Sequence, residues 1–264
     1  MAGSILDQIL VNKQLEIEAA KERLPLEELR SRLRDHIAER NFRKALLNAS
    51  KKPALIAELK RKSPSKGMLR ERFDPVSLGQ QLEDAGAGAL SVFTDEPYFG
   101  GHLEFLRDVQ QFVGVPVLRK DFILEPYQVY EAAYYFADAI LLIVQGLAED
   151  RLVECLQAAD TVGLEALVEV HTEAELKIAL SAGARVIGIN HRDLKTFTMH
   201  PDLTERLVPK IPAGRAIVAE SGVQRREDVE RLKSLGVHAV LIGEALMTSP
   251  DVGAKVRELF QGIW

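Results

Sequence analysis

Eight short apolar runs recur along this chain, and their regularity constrains the fold more than any single motif does. The first is Ala54-Leu-Ile-Ala57, which ends in Glu58 and Lys60. Leu90-Ser-Val-Phe-Thr94 then ends in Asp95, Val115-Pro-Val-Leu-Arg119 in Lys120 and Asp121, and Ala137-Asp-Ala-Ile-Leu-Leu-Ile-Val144 in Gln145. Ala166-Leu-Val168 ends in Glu169, Val186-Ile-Gly-Ile189 in Asn190, Ala216-Ile-Val-Ala219 in Glu220 and Ser221, and Ala239-Val-Leu-Ile242 in Gly243. The runs begin about 20 to 35 residues apart, with amphipathic helical patterns between them at Asp150 to Val162, Glu173 to Ala182 and Arg226 to Leu235. Strands that alternate with helices predict parallel βαβ units, and eight such units predict an α/β protein, a closed (β/α)8 TIM barrel. Polar residues at the carboxyl ends of barrel strands collect at one mouth, where such folds place their chemistry.

The 264 residues suit one such barrel with a modest extension. No Ser/Gly-rich stretch, long single-sign charge run or low-complexity segment marks a linker, so residues 1–264 are expected to form a single domain. Residues 1–50 are expected to be an N-terminal helical extension. Ile5, Ile9, Leu10, Leu15 and Ile17 recur at near-helical spacing, and after Pro25 come Leu26, Leu29, Leu33 and Ile37, which predicts two or three helices. They could cap the bottom of the barrel or reach its mouth. No apolar run is long enough to cross a bilayer, and Glu16, Glu18 and Lys21 interrupt any signal-peptide pattern, which points to a cytoplasmic protein. A formal net charge of −5 argues against a nucleic-acid partner bound through a broad basic surface. The single cysteine, Cys155, rules out an intramolecular disulfide framework and reads as a small buried apolar residue.

Glu58 and Lys60 are two apart on the first strand, so they share a face. An unpaired buried charge is costly, so this pair is either a satisfied internal ion pair or a site that uses its charges. Ser63-Pro-Ser65 follows in a loop able to fold over a ligand, and the glycines after the seventh and eighth strands allow close backbone approach to an anion.

The segments Ile56-Ala-Glu-Leu-Lys-Arg-Lys-Ser-Pro-Ser-Lys-Gly67, Leu118-Arg-Lys-Asp-Phe-Ile123, Leu167-Val-Glu-Val-His171, Ile187-Gly-Ile-Asn-His-Arg-Asp-Leu194, Ala219-Glu-Ser-Gly222 and Leu241-Ile-Gly-Glu-Ala-Leu-Met247 closely resemble the indole-3-glycerol phosphate synthase family. Asp95-Glu-Pro-Tyr-Phe99 resembles it too, and the match runs through the whole barrel in order. The resemblance implies closure of an indole ring from a carboxyphenylamino ketose phosphate, with loss of carbon dioxide and water. That chemistry needs an acid for the developing alkoxide, a carboxylate and an anion cradle. Lys120 is the candidate acid, and the resemblance gives it that role; an ordinary rim lysine paired with Asp121 is the alternative. By the same resemblance Glu169 is an acid/base group in the dehydration. Glu58 and Lys60 are expected to act as a pair, and Asn190 and Glu220 to complete the polar ring, with Asn190 holding a sugar hydroxyl or the attacking ring. Arg192 is expected to bind an anion, with a rim salt bridge to Asp193 as its alternative.

Ser63 is expected to meet the substrate carboxylate, Phe99 and Phe122 to pack against the aromatic ring, and Ser221, Gly222, Gly243 and Glu244 to cradle the phosphate, Glu244 through its backbone N–H with its side chain turned outward. The expected partner is therefore a small phosphorylated substrate, with no membrane or nucleic acid and a monomer favoured. No metal or cofactor is implied, because the six histidines form no ligand-spaced cluster and the catalyst of such a reaction needs only to move protons. Another phosphate-binding barrel, such as phosphoribosylanthranilate isomerase, would share the last two loops but not Glu58-x-Lys60 or Leu118-Arg-Lys120. A non-catalytic ligand-binding barrel is the alternative outside enzymes.

Overall fold

The computed structural model describes residues 4–33 and 40–264. The eight strands are β1 (Ala54–Leu59), β2 (Ala89–Phe93), β3 (Val117–Lys120), β4 (Ala139–Ile143), β5 (Glu165–Val170), β6 (Val186–Asn190), β7 (Ala216–Glu220) and β8 (Ala239–Ile242). Each pairs in parallel with its sequence neighbours, and β8 closes on β1. Successive strand residues face opposite ways, and this alternation decides what the barrel encloses. Leu55, Ala57 and Leu59 of β1 pack outward with the helices, whereas Ala54 and Ile56 join Leu118, Leu141, Leu167, Val218 and Leu241 in the interior. Glu58 continues the phase of Ile56, Lys120 that of Leu118, Glu169 that of Leu167 and Glu220 that of Val218. The charges therefore point into the barrel one step above its apolar filling.

Three helices precede the barrel, α1 (Ile5–Arg23), α2 (Leu26–Arg32) and α3 (Phe42–Leu47). Ser4 and Asp7 start α1 with a reciprocal capping box, each side chain accepting the other's backbone N–H. Pro25 separates α1 from α2, which lies along the helix Pro126–Tyr134. Both expected placements occur, on different helices. α3 closes the bottom: Phe42 and Leu46 enter the interior cluster, and the Asn41 amide donates to Glu165 at the start of β5. α1 crosses the mouth, where Leu6 and Ile9 join the cluster that contains Phe122 and Ile143.

The buried face of α1 is Leu6, Ile9, Lys13, Ile17 and Ala20. Leu15, expected on that face, is instead 67% exposed, because the buried positions follow the three- and four-residue steps from Leu6 through Ile9, Lys13 and Ile17 to Ala20. Ile37 lies outside the described residues. Lys13 is the surprise of the extension, since an ammonium at a core position looks like a break in the pattern. Its Nζ sits 3.1 Å from Asp95 after β2, 2.9 Å from Asp121 after β3 and 2.6 Å from Glu16. Burial alone would lower its pKa, but the Asp121 and Asp95 charges outweigh that and hold it above the ordinary lysine range. Asp121 also pairs with Arg119 at 3.1 Å and accepts from the Thr94 hydroxyl. Burial would raise the Asp121 pKa, and Lys13 and Arg119 hold it below the usual carboxylate range instead. Cys155 is fully buried, as expected, and burial pushes its thiol up to about 12. No helix among the described residues is long and apolar enough to cross a membrane.

Replacing Lys13 with Met keeps the stem but leaves the Asp95 and Asp121 carboxylates without their shared cation. Loss of one partner from a buried pair costs roughly 3–5 kcal/mol, so urea denaturation near neutral pH is expected to show a destabilisation of about that size. Asp121 has a depressed pKa in the folded state, so its share of stability is present above its ordinary value of 3.8 and is lost as pH falls. The deficit of Lys13→Met relative to wild type should therefore shrink in acid, and a pH-independent deficit would contradict the pairing.

Candidate active site

A cavity opens at the carboxyl ends of the strands. Glu58, Lys60, Ser63, Phe99, Lys120, Phe122, Glu169, Asn190, Arg192, Glu220, Ser221, Gly222, Gly243 and Glu244 all line it, so every residue singled out from the sequence converges on one space. Lys120 is at its floor. The ammonium lies 3.0 Å from Glu169 Oε2 and 2.8 Å from Glu220 Oε2, with both carboxylates almost fully buried. Glu220 thus belongs to the Lys120 cluster, which sequence position alone did not show. Lys120 does not pair with Asp121, whose partners are Lys13 and Arg119. Burial would lower the Lys120 pKa, but Glu169, Glu220 and the more remote Glu58 outweigh it and hold the ammonium well above the ordinary range.

The two carboxylates are not equivalent. Burial pushes Glu220 well above the usual carboxylate range; Lys120 opposes that shift and the Glu169 charge adds to it. Burial would do the same to Glu169, but Lys120 and His171 together hold it well below that range. Glu220 makes the shorter contact to Lys120, yet among the described residues only Glu169 has a second cationic partner, with His171 Nε2 3.4 Å from its Oε1. Burial and the neighbouring charges therefore bias the two carboxylates in opposite directions beside a charged Lys120, Glu169 toward its ionised form and Glu220 toward its protonated form.

Two glycines make this packing possible. A Cβ on Gly188, which lies opposite Glu169 in the β5–β6 register, would fall 2.1 Å from Glu220 Oε1. One on Gly243 would fall 2.2 Å from Glu58 Oε2. Gly243 was read from the sequence as part of an anion cradle; it also clears space for a carboxylate. Lys60, the residue just past β1, pairs with Glu58 at 2.7 Å as expected and lies 5.5 Å from the centre of the Phe93 ring. Phe93 stacks on Phe99 with centroids 4.1 Å apart, and Phe99 meets Phe122 at 6.0 Å, which builds one apolar wall. Phe93 was not picked out as a site residue, although its phase, two residues beyond Ser91, would have marked it as inward-facing.

Ser63 ends a short strand, Lys62–Ser63, that pairs antiparallel with Gly67–Met68. Its buried hydroxyl has no hydrogen-bond partner among the described residues and sits in the cavity lining. Arg192 ties this loop down by donating to Ser65 Oγ at 2.8 Å and pairing with Glu244 at 3.2 Å. The expected alternative for Arg192, a bridge to Asp193, does not form. Asp193 instead accepts from the backbone of Lys195 and Thr196 in its own turn. The Glu244 side chain is likewise not turned away: it faces Arg192, with Lys66 at 3.9 Å, so its charge is compensated within the rim. Asn190 accepts from Ser221 Oγ at 2.8 Å and from the Arg192 backbone N–H at 3.0 Å. Ser221 adopts a left-handed φ of 65°, uncommon for a residue other than glycine. Its bond to Asn190 and its carbonyl contact with His191 hold it there. Gly222 follows at φ 86°, and Gly243 precedes a four-residue helix, Glu244–Met247. The backbone N–H groups of a first helical turn lack intrahelical acceptors, so these loops can meet an anion. No group of three or more metal-ligating side chains occurs among the described residues.

The family model for indole-3-glycerol phosphate synthase matches residues 6–259. A protein of that name from Carboxydothermus hydrogenoformans is 44% identical over 260 residues, covering 96% of this chain and 98% of its own length. Another, from Dehalococcoides mccartyi strain CBDB1, is 48% identical over 97% of this chain and 99% of its own length. Among solved structures, 3-hexulose-6-phosphate synthase from Salmonella typhimurium superposes with a TM-score of 0.65 at 14% identity, over 80% of this chain and 98% of that one, which is a likeness of fold.

Gly188→Ala tests the packing of the cluster without touching a charged group. The added methyl must displace the Glu220 carboxylate, and overpacking of this kind costs about 1–3 kcal/mol. Both lower stability and impaired turnover are expected, and a variant with unchanged melting temperature and rate would show that Glu220 does not need this position.

Proposed function

The chain belongs to the indole-3-glycerol phosphate synthase family, and from that premise we propose how its ring of charges performs the family's reaction. The chain is a carboxy-lyase of tryptophan biosynthesis that converts 1-(2-carboxyphenylamino)-1-deoxyribulose 5-phosphate into indole-3-glycerol phosphate. In the first step the aromatic carbon that bears the carboxylate bonds to the sugar ketone carbon, and the carbonyl electrons move to oxygen. Lys120 protonates that oxygen. The bond to the carboxylate then breaks, carbon dioxide leaves, and its electron pair restores the aromatic ring. Loss of the new hydroxyl as water, together with a proton from the neighbouring methylene, completes the indole. Glu169, ionised in the resting site, accepts a proton in this dehydration, and Lys60, held by Glu58, is placed to assist at the leaving oxygen.

The observation that carries this reading is the burial of Lys120 between Glu169 and Glu220 at the floor of a cavity with an aromatic wall. Preorganised charge in a water-poor site is the usual source of large rate effects at a developing oxyanion. The wall of Phe93, Phe99 and Phe122 suits the planar ring, and Ser63 and Lys60 suit its carboxylate. The loops at Ser221-Gly222 and Gly243-Glu244 suit the phosphate, with Arg192 joining them to the Ser63-Pro-Ser65 loop. Asn190 holds the substrate between these ends. We further propose one domain spanning residues 1–264, with 1–50 as its helical extension, acting as a cytoplasmic monomer without nucleic-acid partners. The steps form one carbon–carbon bond, release carbon dioxide and water, and transfer protons with no net oxidation or reduction, so no metal or cofactor is invoked.

Addition of the carboxyphenylamino ketose phosphate is expected to produce indole fluorescence, and absence of turnover would overturn the reading. Lys120→Met removes the charge and keeps most of the stem. Loss of a positioned general acid lowers the rate by about 10²- to 10⁴-fold, or roughly 2.7 to 5.4 kcal/mol in the barrier. Near-normal turnover with unchanged pH dependence would transfer the acid role to Lys60. Inorganic phosphate or sulfate should compete with substrate and occupy the cleft between the Ser221-Gly222 and Gly243-Glu244 loops. A crystal structure with the anion bound firmly elsewhere and this cleft empty would refute the cradle.

A further inference from the structure

His171, immediately beyond β5, takes no part in the steps above, yet its ring is 3% exposed and touches the reacting cluster. Nε2 lies 3.4 Å from Glu169 Oε1, and Nδ1 lies 3.3 Å from Glu175 Oε2 in the helix Glu173–Ser181. Both ring nitrogens thus face carboxylates. A neutral imidazole carries a proton on only one nitrogen, so it would turn a lone pair toward one of these anions. Glu175 is itself fixed, because its Oε2 accepts the His171 backbone N–H at 2.7 Å and its own N–H donates to Thr172 Oγ1, which caps the helix. Glu169 Oε1, the oxygen that Lys120 does not take, and His171 Nε2 both lack a hydrogen-bond partner among the described residues, so their 3.4 Å contact is a charge contact rather than a hydrogen bond.

We propose that His171 is a positioning residue: a permanent imidazolium, clamped by Glu175, that keeps Glu169 ionised and oriented after Lys120 has given up its proton. The proposal rests on the reading of Glu169 as the group that accepts a proton in dehydration. Lys120 neutralises Glu169 only while it is charged. Once its proton has passed to the substrate oxygen, a buried Glu169 with no cation would draw a proton itself and lose its use as a base. His171 supplies a second cation that the reaction does not consume. The charged groups that face the ring are Glu169 from β5, Glu175 from the following helix and Asp193 from the loop after β6. All three are carboxylates; burial would lower the imidazole's pKa, and Glu169 and Glu175 outweigh it and hold the ring up to about 10.

His171→Gln keeps an amide donor and removes the charge. An adjacent opposite charge lowers a carboxyl pKa by about 1 to 3 units, so the acidic limb of the kcat profile is expected to move to higher pH by about that much, with KM little changed. Glu175→Gln, at a half-buried position, should move the limb in the same direction by less. Ring nitrogen NMR of the wild-type protein should show both His171 nitrogens protonated at about pH 8, where an ordinary histidine is neutral. A neutral ring there, an unmoved limb in both variants, or a loss equal at every pH would overturn the proposal. Glu169→Gln separates the two layers. If it keeps the wild-type acidic limb, the assignment of Glu169 fails and takes this proposal with it. If it abolishes the limb while the His171 and Glu175 variants leave it in place, only the positioning role fails.

Discussion

An ammonium buried at the floor of a barrel must be kept charged without being so tightly paired that it cannot act, and much of the mouth follows from that requirement. Lys120 meets it through two carboxylates that share one ammonium. Two carboxylates this close cannot both ionise cheaply, so the difference between them is set by what else each one touches. Glu169 has His171 behind it and Glu220 does not. The result is a cluster in which Lys120 is held charged while burial and neighbour identity bias the two carboxylates in opposite directions. The glycines at 188 and 243 belong to the same arrangement, because a methyl at either would occupy the volume of a carboxylate oxygen.

A second buried cluster governs the rim. Lys13 reaches from α1 to Asp95 and Asp121, while Arg119 ties Asp121 to Glu131 in the helix after β3. Asp121 also accepts the backbone N–H of Phe122 at 2.7 Å, so the N-terminal extension is linked to the aromatic wall of the cavity through one carboxylate. Removing the extension would therefore expose buried acids and apolar surface from Leu6 and Ile9, besides changing the mouth. The helix is part of the core as well as part of the rim.

The cavity divides by chemistry. One side is aromatic, the floor is charged, and the far loops offer backbone N–H groups with glycine-permitted approach. A rim network joins them: Arg192 holds Ser65 in the β1 loop and Glu244 in the β8 loop, so three loops share one guanidinium. We propose that this division suits an amphipathic substrate with a ring at one end and a phosphate at the other.

The sequence by itself determined the barrel, the strand that carries each functional side chain and the direction each faces, because strand alternation is a local property with a period of two. Glu58, Lys120, Glu169 and Glu220 each sit in phase with an interior apolar residue, and that phase is legible without coordinates. It also determined the family, through segments spread along the whole chain. Partner choice was decided only by the tertiary structure. Lys120 with Glu220, Arg192 with Glu244, and Lys13 with Asp95 and Asp121 are contacts between residues 52 to more than 100 positions apart in the chain, and no local pattern encodes which opposite charge is nearest. The left-handed Ser221 and the role of Gly188 were hidden for a related reason. One is set by bonds to Asn190 and His191 and the other by the volume of a carboxylate from a neighbouring strand, and both exist only once the barrel has closed.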